Sequence, residues 1–130
     1  MTAPRLLLPL AVAGLLATAA PASAKLTITP FQTPTKQIRC AYMSGDGFGP
    51  LIRCDLLFLN DRAVVLDKTG KARRATVTDT VADPKGKVLG YGKSRRFGRF
   101  TCTSRRTGLT CRNRANGHGF TVSRERQKVW

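Results

Sequence analysis

The chain is short of acids. Seven Asp and Glu stand against 23 Lys and Arg in 130 residues, a formal charge of +16. The acids (Asp46, Asp55, Asp61, Asp67, Asp79, Asp83 and Glu125) are scattered along the chain. A glycosidase needs two carboxyls at a set separation across a cleft, and this spacing offers no such pair. They read instead as ion-pair partners and turn formers. Asp46, between Gly45 and Gly47, lacks the further oxygen ligands at alternate positions that a calcium loop requires, so it too reads as a turn. Histidine is scarcer still, with His118 alone between Gly117 and Gly119. A general base needs an orienting partner and a nucleophile within hydrogen-bond reach, and no motif supplies them. His118 reads as a structural residue of a glycine turn. The four cysteines are separated by 13, 47 and 8 residues, with no Cys-x-x-Cys pair, unlike structural zinc spacing. Glycines at 90, 92, 98, 108, 117 and 119 fit no phosphate-loop pattern. The chain therefore reads as no enzyme, with no catalytic residue, metal or cofactor expected.

Long apolar runs are absent with one exception. Leu6 to Ala20 is apolar but for Pro9, Gly14 and Thr18, follows Arg5, and precedes Pro21-Ala22-Ser23-Ala24. Positive start, apolar middle and small-residue cleavage site make residues 1–24 an expected signal peptide, with Lys25 as the new N-terminus. The stretch is short of the 18 or so apolar residues of a span and weakened by proline, which argues against an uncleaved anchor. With no cysteine at the cleavage point a lipid anchor is not expected, and no later segment is apolar enough to cross a bilayer. Residues 25–130 are then one secreted domain, extracellular or associated with the cell envelope and expected to be a monomer. Its 22 Lys and Arg against seven acids give +15 on 106 residues. A core of that size is marginal, and self-repulsion weakens it further.

Export supplies a remedy. Four cysteines in an oxidising compartment allow three disulfide pairings, and local pattern selects one. Gln37 to Tyr42 and Leu51 to Leu56 alternate apolar with polar or small residues around a turn-forming loop, Ser44 to Pro50. A hairpin pairing Met43 with Leu51 sets Cys40 opposite Cys54. Phe100 to Ser104 and Leu109 to Asn113 flank Arg105-Arg106-Thr107-Gly108 in the same way, and pairing Ser104 with Leu109 sets Cys102 opposite Cys111. Each closure contributes roughly 2.5–3 kcal/mol, a large share of the 5–15 kcal/mol or so typical of a domain.

Elsewhere Leu26 to Thr29 reads as an edge strand running into extended chain. Ala63 to Leu66 and Ala72 to Thr78 form a third hairpin around Lys68 to Lys71, and Asp79 to Lys87 is loop. Val88 to Gly92 and Phe120 to Ser123 read as short strands, and Lys128 to Trp130 as tail. No helical period, repeat or low-complexity tract occurs. Many short strands between turns predict an all-β fold, a small disulfide-stapled antiparallel sandwich or barrel built from hairpins.

A set of motifs carries a family resemblance. Phe31-Gln32-Thr33-Pro34, Ile38-Arg39-Cys40, Ile52-Arg53-Cys54-Asp55, Asp79-Thr80, Leu89-Gly90-Tyr91-Gly92, Phe100 to Ser104, Thr107 to Cys111, Gly117 to Phe120 and Ser123-Arg124 occur in order. The chain so resembles small exported bacterial proteins catalogued as domain of unknown function 6636, most specifically from Leu89 onward. The resemblance implies a secreted single domain with paired cysteines; it points to no particular activity, substrate or cofactor. Members carry a further cysteine pair, absent here, one of its positions matching Thr76, so the middle of the domain, about residues 60–78, is expected to pack differently. Their Ser-Gly-Asn-Ile stands as Thr35-Lys36-Gln37-Ile38, which alters the first turn.

The basic surface is the strongest functional signal. From Lys93 to Trp130 eleven Lys and Arg face a single acid, Glu125. If Phe100, Cys102, Leu109 and Cys111 point inward, then Arg99, Thr101, Thr103, Thr110, Arg112 and Arg114 point outward. The disulfide register sets Arg99 opposite Arg114, a like-charge pairing that costs stability and invites an anion, since Arg forks fit phosphate and carboxylate. Arg95, Arg96, Arg99, Arg105, Arg106, Arg112 and Arg114 are the expected anion-binding residues. The bland alternative is a solvated, highly charged face. The expected role is non-catalytic docking on an anionic envelope polymer or surface, the alternative a small basic inhibitor or toxin-like antimicrobial protein. Nucleic acid is the less expected partner. Base stacking needs exposed aromatics; Tyr91, Phe100 and Phe120 look like core, leaving Phe48, Phe97 and Trp130.

Overall fold

The computed structural model describes residues 2–5, 9–16 and 25–130. The apolar stretch of the expected export signal lies partly, and its cleavage site wholly, outside the described residues. Among the described residues no helix is long and apolar enough to cross a membrane.

The fold is all-β. The described residues form eleven strands, β1 (Thr27–Gln32), β2 (Ile38–Gly45), β3 (Phe48–Leu56), β4 (Arg62–Leu66), β5 (Arg73–Thr76), β6 (Lys87–Val88), β7 (Ser94–Phe97), β8 (Phe100–Arg105), β9 (Gly108–Asn113), β10 (Gly119–Val122) and β11 (Gln127–Val129). One sheet runs β5-β4-β3-β2-β1-β6 and the other β11-β10-β9-β8-β7. All pairings are antiparallel except β1 with β6. The sheets pack as a sandwich around one core. Phe31, Ile38, Ile52, Val64 and Leu66 come from the first, Phe97, Phe100, Leu109, Phe120 and Val122 from the second. Phe31 stacks on Phe97 with ring centroids 4.5 Å apart, joining the two layers.

Both cysteine hairpins have the expected register. Cys40 sits opposite Cys54 and Met43 opposite Leu51; Cys102 sits opposite Cys111 and Ser104 opposite Leu109. Both disulfides form, with Cα separations of 4.0 and 4.1 Å. All four cysteines are fully buried, so the clips are part of the core.

The first hairpin is longer than expected. The strands continue into the segment read as loop, and only Asp46 and Gly47 make the turn, with φ of 46° and 80°. Two successive left-handed residues match the twist of the flanking strands, which is why Asp-Gly suits this position. The third hairpin forms with Val65 opposite Arg73.

Four expectations need correction. Val88 to Gly92 is not a strand; only Lys87 and Val88 pair, parallel to Phe31 and Gln32, so β1 is not a free edge. Ser94–Phe97 is a strand that its polar run of Ser and Arg concealed. The C-terminal segment is a paired strand, β11, with Val129 opposite Phe120. Phe97 and Tyr91 exchange roles: Phe97 is buried in the core at 4% exposure, whereas Tyr91 is exposed at 37%.

The outer face of the first sheet is closed. Ala41, Asp55, Ala63 and Val65 point away from the core yet are buried. The reason is the loop from Val77 to Gly86, which leaves β5 at one edge and reaches β6 at the other. Asp55 accepts from Arg53 Nε (2.8 Å), Thr80 Oγ1 (2.7 Å) and the Val81 amide (2.9 Å). Arg53 also donates to Asp79 Oδ1 and to the Asp79 carbonyl, both at 2.9 Å. Gln32 Nε2 holds the far end through the Gly86 carbonyl at 2.8 Å. Burial disfavours the Arg53 charge, but the hydrogen bonds to Asp55 and Asp79 outweigh it and raise its pKa. The same hydrogen bond from Arg53 lowers the pKa of Asp79. The Arg53-Cys54-Asp55 and Asp79-Thr80 motifs, 25 residues apart, are thus two halves of one strut.

Candidate anion-binding surfaces

Charge divides between the layers. Residues 25–92, which build the first sheet, hold 11 Lys and Arg against six acids; residues 93–130, which build the second, hold 11 against one. Among the described residues the side-chain ion pairs are Arg53 with Asp55 and Asp79, and Arg73 with Asp67. All belong to the first sheet and its loops, so the basic side chains of the second have no carboxylate partner.

The outer face of the second sheet follows from its register. One cross-strand row is Ser94, Thr103, Thr110, Thr121 and Lys128. The next is Arg96, Thr101, Arg112 and Gly119, extended by Trp130, whose backbone exchanges two 3.0 Å bonds with Gly119. The hydroxyls pair sideways, Ser94 with Thr103 at 2.7 Å and Thr110 with Thr121 at 2.8 Å. The Trp130 indole lies over Gly119 and donates to the Gly117 carbonyl at 2.9 Å. Lys128 Nζ lies 5.8 Å from that ring. The result is a face of hydroxyls bearing Arg96, Arg112 and Lys128, with no acid in either row.

The seven expected arginines separate into groups. Arg96 and Arg112 share this outer face, on either side of Thr101. Arg95 faces inward at the sheet edge, its guanidinium 4.7 Å from the Phe97 ring. The β8–β9 ladder ends at Phe100 and Asn113, so Arg99 and Arg114 lie just beyond it and meet through their backbones, the Arg114 amide bonding the Arg99 carbonyl at 2.9 Å. Their side chains go to different partners. Arg114 donates to the Gly98 carbonyl (2.6 Å), the Phe100 carbonyl (3.0 Å) and Thr101 Oγ1 (2.7 Å). That guanidinium staples the β7–β8 turn. Arg99 reaches the Lys68 carbonyl at 3.5 Å.

Arg105 and Arg106 lie at the opposite end, on the β8–β9 turn. There they border a cleft of about 290 Å³ between the sheets, with Ile38, Phe58, Tyr91 and Leu109 among its lining. Arg124 lines the same cleft and was not among the expected residues. The register holds the signal that finds it: Leu109 pairs with Val122, which brings the chain after Val122 beside the Arg106-Thr107 turn. Lys128 was missed because its segment was read as tail, and Trp130 was considered there only as an exposed aromatic.

His118 is half-buried in its turn, its amide bonding Asn116 Oδ1 at 3.0 Å and its carbonyl accepting from the Asn113 amide at 2.8 Å. Among the described residues no three of His, Cys, Asp and Glu converge as metal ligands would.

Fold and surface together define a small, disulfide-braced β sandwich with one strapped face and one open basic face. Residues 37–130 match the model of a family of unknown function, DUF6636, and the chain belongs to that family. No curated protein and no solved structure matches it.

Proposed function

We propose that this protein is an exported, non-catalytic binding module that docks on an anionic envelope polymer through the open face of its second sheet. The carrying observation is the combination on that face of Arg96, Arg112 and Lys128 with no acid in either row and no ion pair. Arg96 and Arg112 donate no side-chain hydrogen bond within the described molecule, unlike Arg53 and Arg114, so their forks are free for phosphate or carboxylate oxygens. Two buried disulfides in a core this small support residence in an oxidising compartment. Cleavage after Ala24 belongs to the same reading.

The test is retention of the mature chain on immobilised polyphosphate as salt rises. Three basic contacts correspond to a log–log slope of roughly −2 to −3, or about 16- to 64-fold weaker binding between about 50 and 200 mM salt. Arg96→Ala with Arg112→Ala should flatten the slope by roughly 1.5. Absence of binding at about 50 mM, or binding indifferent to salt, refutes the proposal. Clearly tighter binding to single-stranded DNA than to polyphosphate of equal charge would favour base stacking instead.

A further inference from the structure

The cleft at the end of the sandwich is a different kind of place from the outer face. Arg105 and Arg106 reach it from the β8–β9 turn, Arg124 from the turn after β10, and the two sheets supply Ile38 and Leu109 beneath. We infer that this cleft is a binding site for a small phosphate monoester whose body is no larger than one sugar ring.

Three observations converge on that class of ligand. First, three arginines line the cleft with Glu125 as the only acid among its lining residues, and Glu125 forms no ion pair with any of them among the described residues. None of the three donates a side-chain hydrogen bond within the described molecule, whereas Arg53, Arg73 and Arg114 do. An excess of two positive charges suits a dianionic group, and planar donor forks contributed from two turns suit the several oxygens of a phosphate. Second, the floor is not polar. Leu109 is fully buried and Ile38 nearly so, while Phe58 is packed against the core. A bare anion would gain nothing from that lining, but a phosphate carried on a compact body would cover it. Third, the Arg106 guanidinium sits 4.9 Å from the centre of the Tyr91 ring, and Tyr91 remains 37% exposed. With one ring face under the arginine by cation–π attraction, the exposed remainder of Tyr91 offers an apolar surface for a sugar body next to the charge that takes its phosphate. At about 290 Å³ the cleft stands at the small end of ligand sites, which limits the body to one ring.

This site stands apart from the polymer-docking face, since it shares none of Arg96, Arg112 or Lys128. The experiment is an amide NMR titration of the mature chain with glucose phosphate, inorganic phosphate and glucose in parallel. Saturable shifts are expected at Tyr91, Arg106 and Ser123. Glucose phosphate should bind at least about tenfold more tightly than either fragment. Arg106→Ala and Arg124→Ala should each weaken glucose phosphate roughly tenfold or more. A Tyr91→Leu variant should lose the advantage over inorganic phosphate. Both arginines are exposed turn residues, so the fold is expected to persist, which dispersed amide spectra verify. Equal shifts at Arg96 and Arg112, or no preference for glucose phosphate over phosphate, overturns the inference. The Arg106 and Arg124 variants should keep at least half of their polyphosphate retention, and Arg96→Ala with Arg112→Ala should keep glucose phosphate binding. Failure of the cleft is thereby distinguished from failure of the docking face.

Discussion

Removing the Asp55 carboxylate should detach the strap that covers the first sheet. Asp55 is 4% exposed and accepts three hydrogen bonds, from Arg53, Thr80 and the Val81 amide. Truncation to Ala takes away a partner of a buried ion pair, which typically costs about 3–5 kcal/mol. Two circumstances reduce that figure. Arg53 retains Asp79, whose side chain is 76% exposed, and the freed loop can turn the Thr80 and Val81 donors toward water. A net loss of about 3 kcal/mol follows, or roughly 12–24 °C in Tm for a domain near 100 residues. Near-UV circular dichroism would read the midpoint. Amide exchange would locate the damage, with Val81 and its neighbours losing protection while Cys102 and Cys111 keep theirs. Acid supplies a second handle on the strut. The hydrogen bond and charge of Arg53 hold the folded pKa of Asp79 below its unfolded value of about 4. That contribution is complete above pH 4 or so and fades as pH falls through the lower folded pKa. Asp79→Asn should therefore narrow the stability difference between neutral and strongly acid solution. A Val81 amide as well protected in Asp55→Ala as in the parent, with Tm unchanged, would refute the strut.

Gly119 offers a sharper steric test. A Cβ there would stand 2.4 Å from the Cys111 carbonyl oxygen, a backbone atom unable to yield without disturbing the β9–β10 pairing, and 3.1 Å from the Trp130 indole. Gly119→Ala should cost about 2 kcal/mol or more, with tryptophan fluorescence shifted as the indole lifts; an unchanged denaturation midpoint contradicts the packing. Replacing Cys102 and Cys111 by Ser opens a loop with a sequence separation of 9 and should cost roughly 2.5 kcal/mol, slightly less than Cys40 and Cys54 with their separation of 14. Urea denaturation would measure both, and a loss below about 1 kcal/mol for either pair would discount the chain-entropy account.

The hairpins were legible because their information is local. Period-two alternation, turn residues and facing cysteines all lie within a few positions of one another, and together they fix Cys40 with Cys54 and Cys102 with Cys111. The strap was not legible: Asp55 and Thr80 reveal their bond only once β5 and β6 stand at opposite edges of one sheet. Polar strands hid for a related reason. Ser94-Arg95-Arg96-Phe97 buries one residue, so no apolar pattern marks it, and that misplaced Phe97 on the surface. For the candidate site, the sequence showed how much charge gathers after Lys93 and which side chains of β8 and β9 point outward. It could not show that Arg114 spends its donors on the β7–β8 turn, nor that Arg124 comes round to join Arg105 and Arg106.

The unequal loading of the two layers gives the molecule a direction. One side carries most of the excess positive charge and the other keeps its ion pairs and its strap, so a negatively charged boundary exerts a torque as well as a pull. A molecule drifting toward such a boundary would turn before it lands, settling with Arg112 downward and the Asp79–Gly86 segment uppermost. Whatever meets it next from solution would encounter that second, less strongly charged surface.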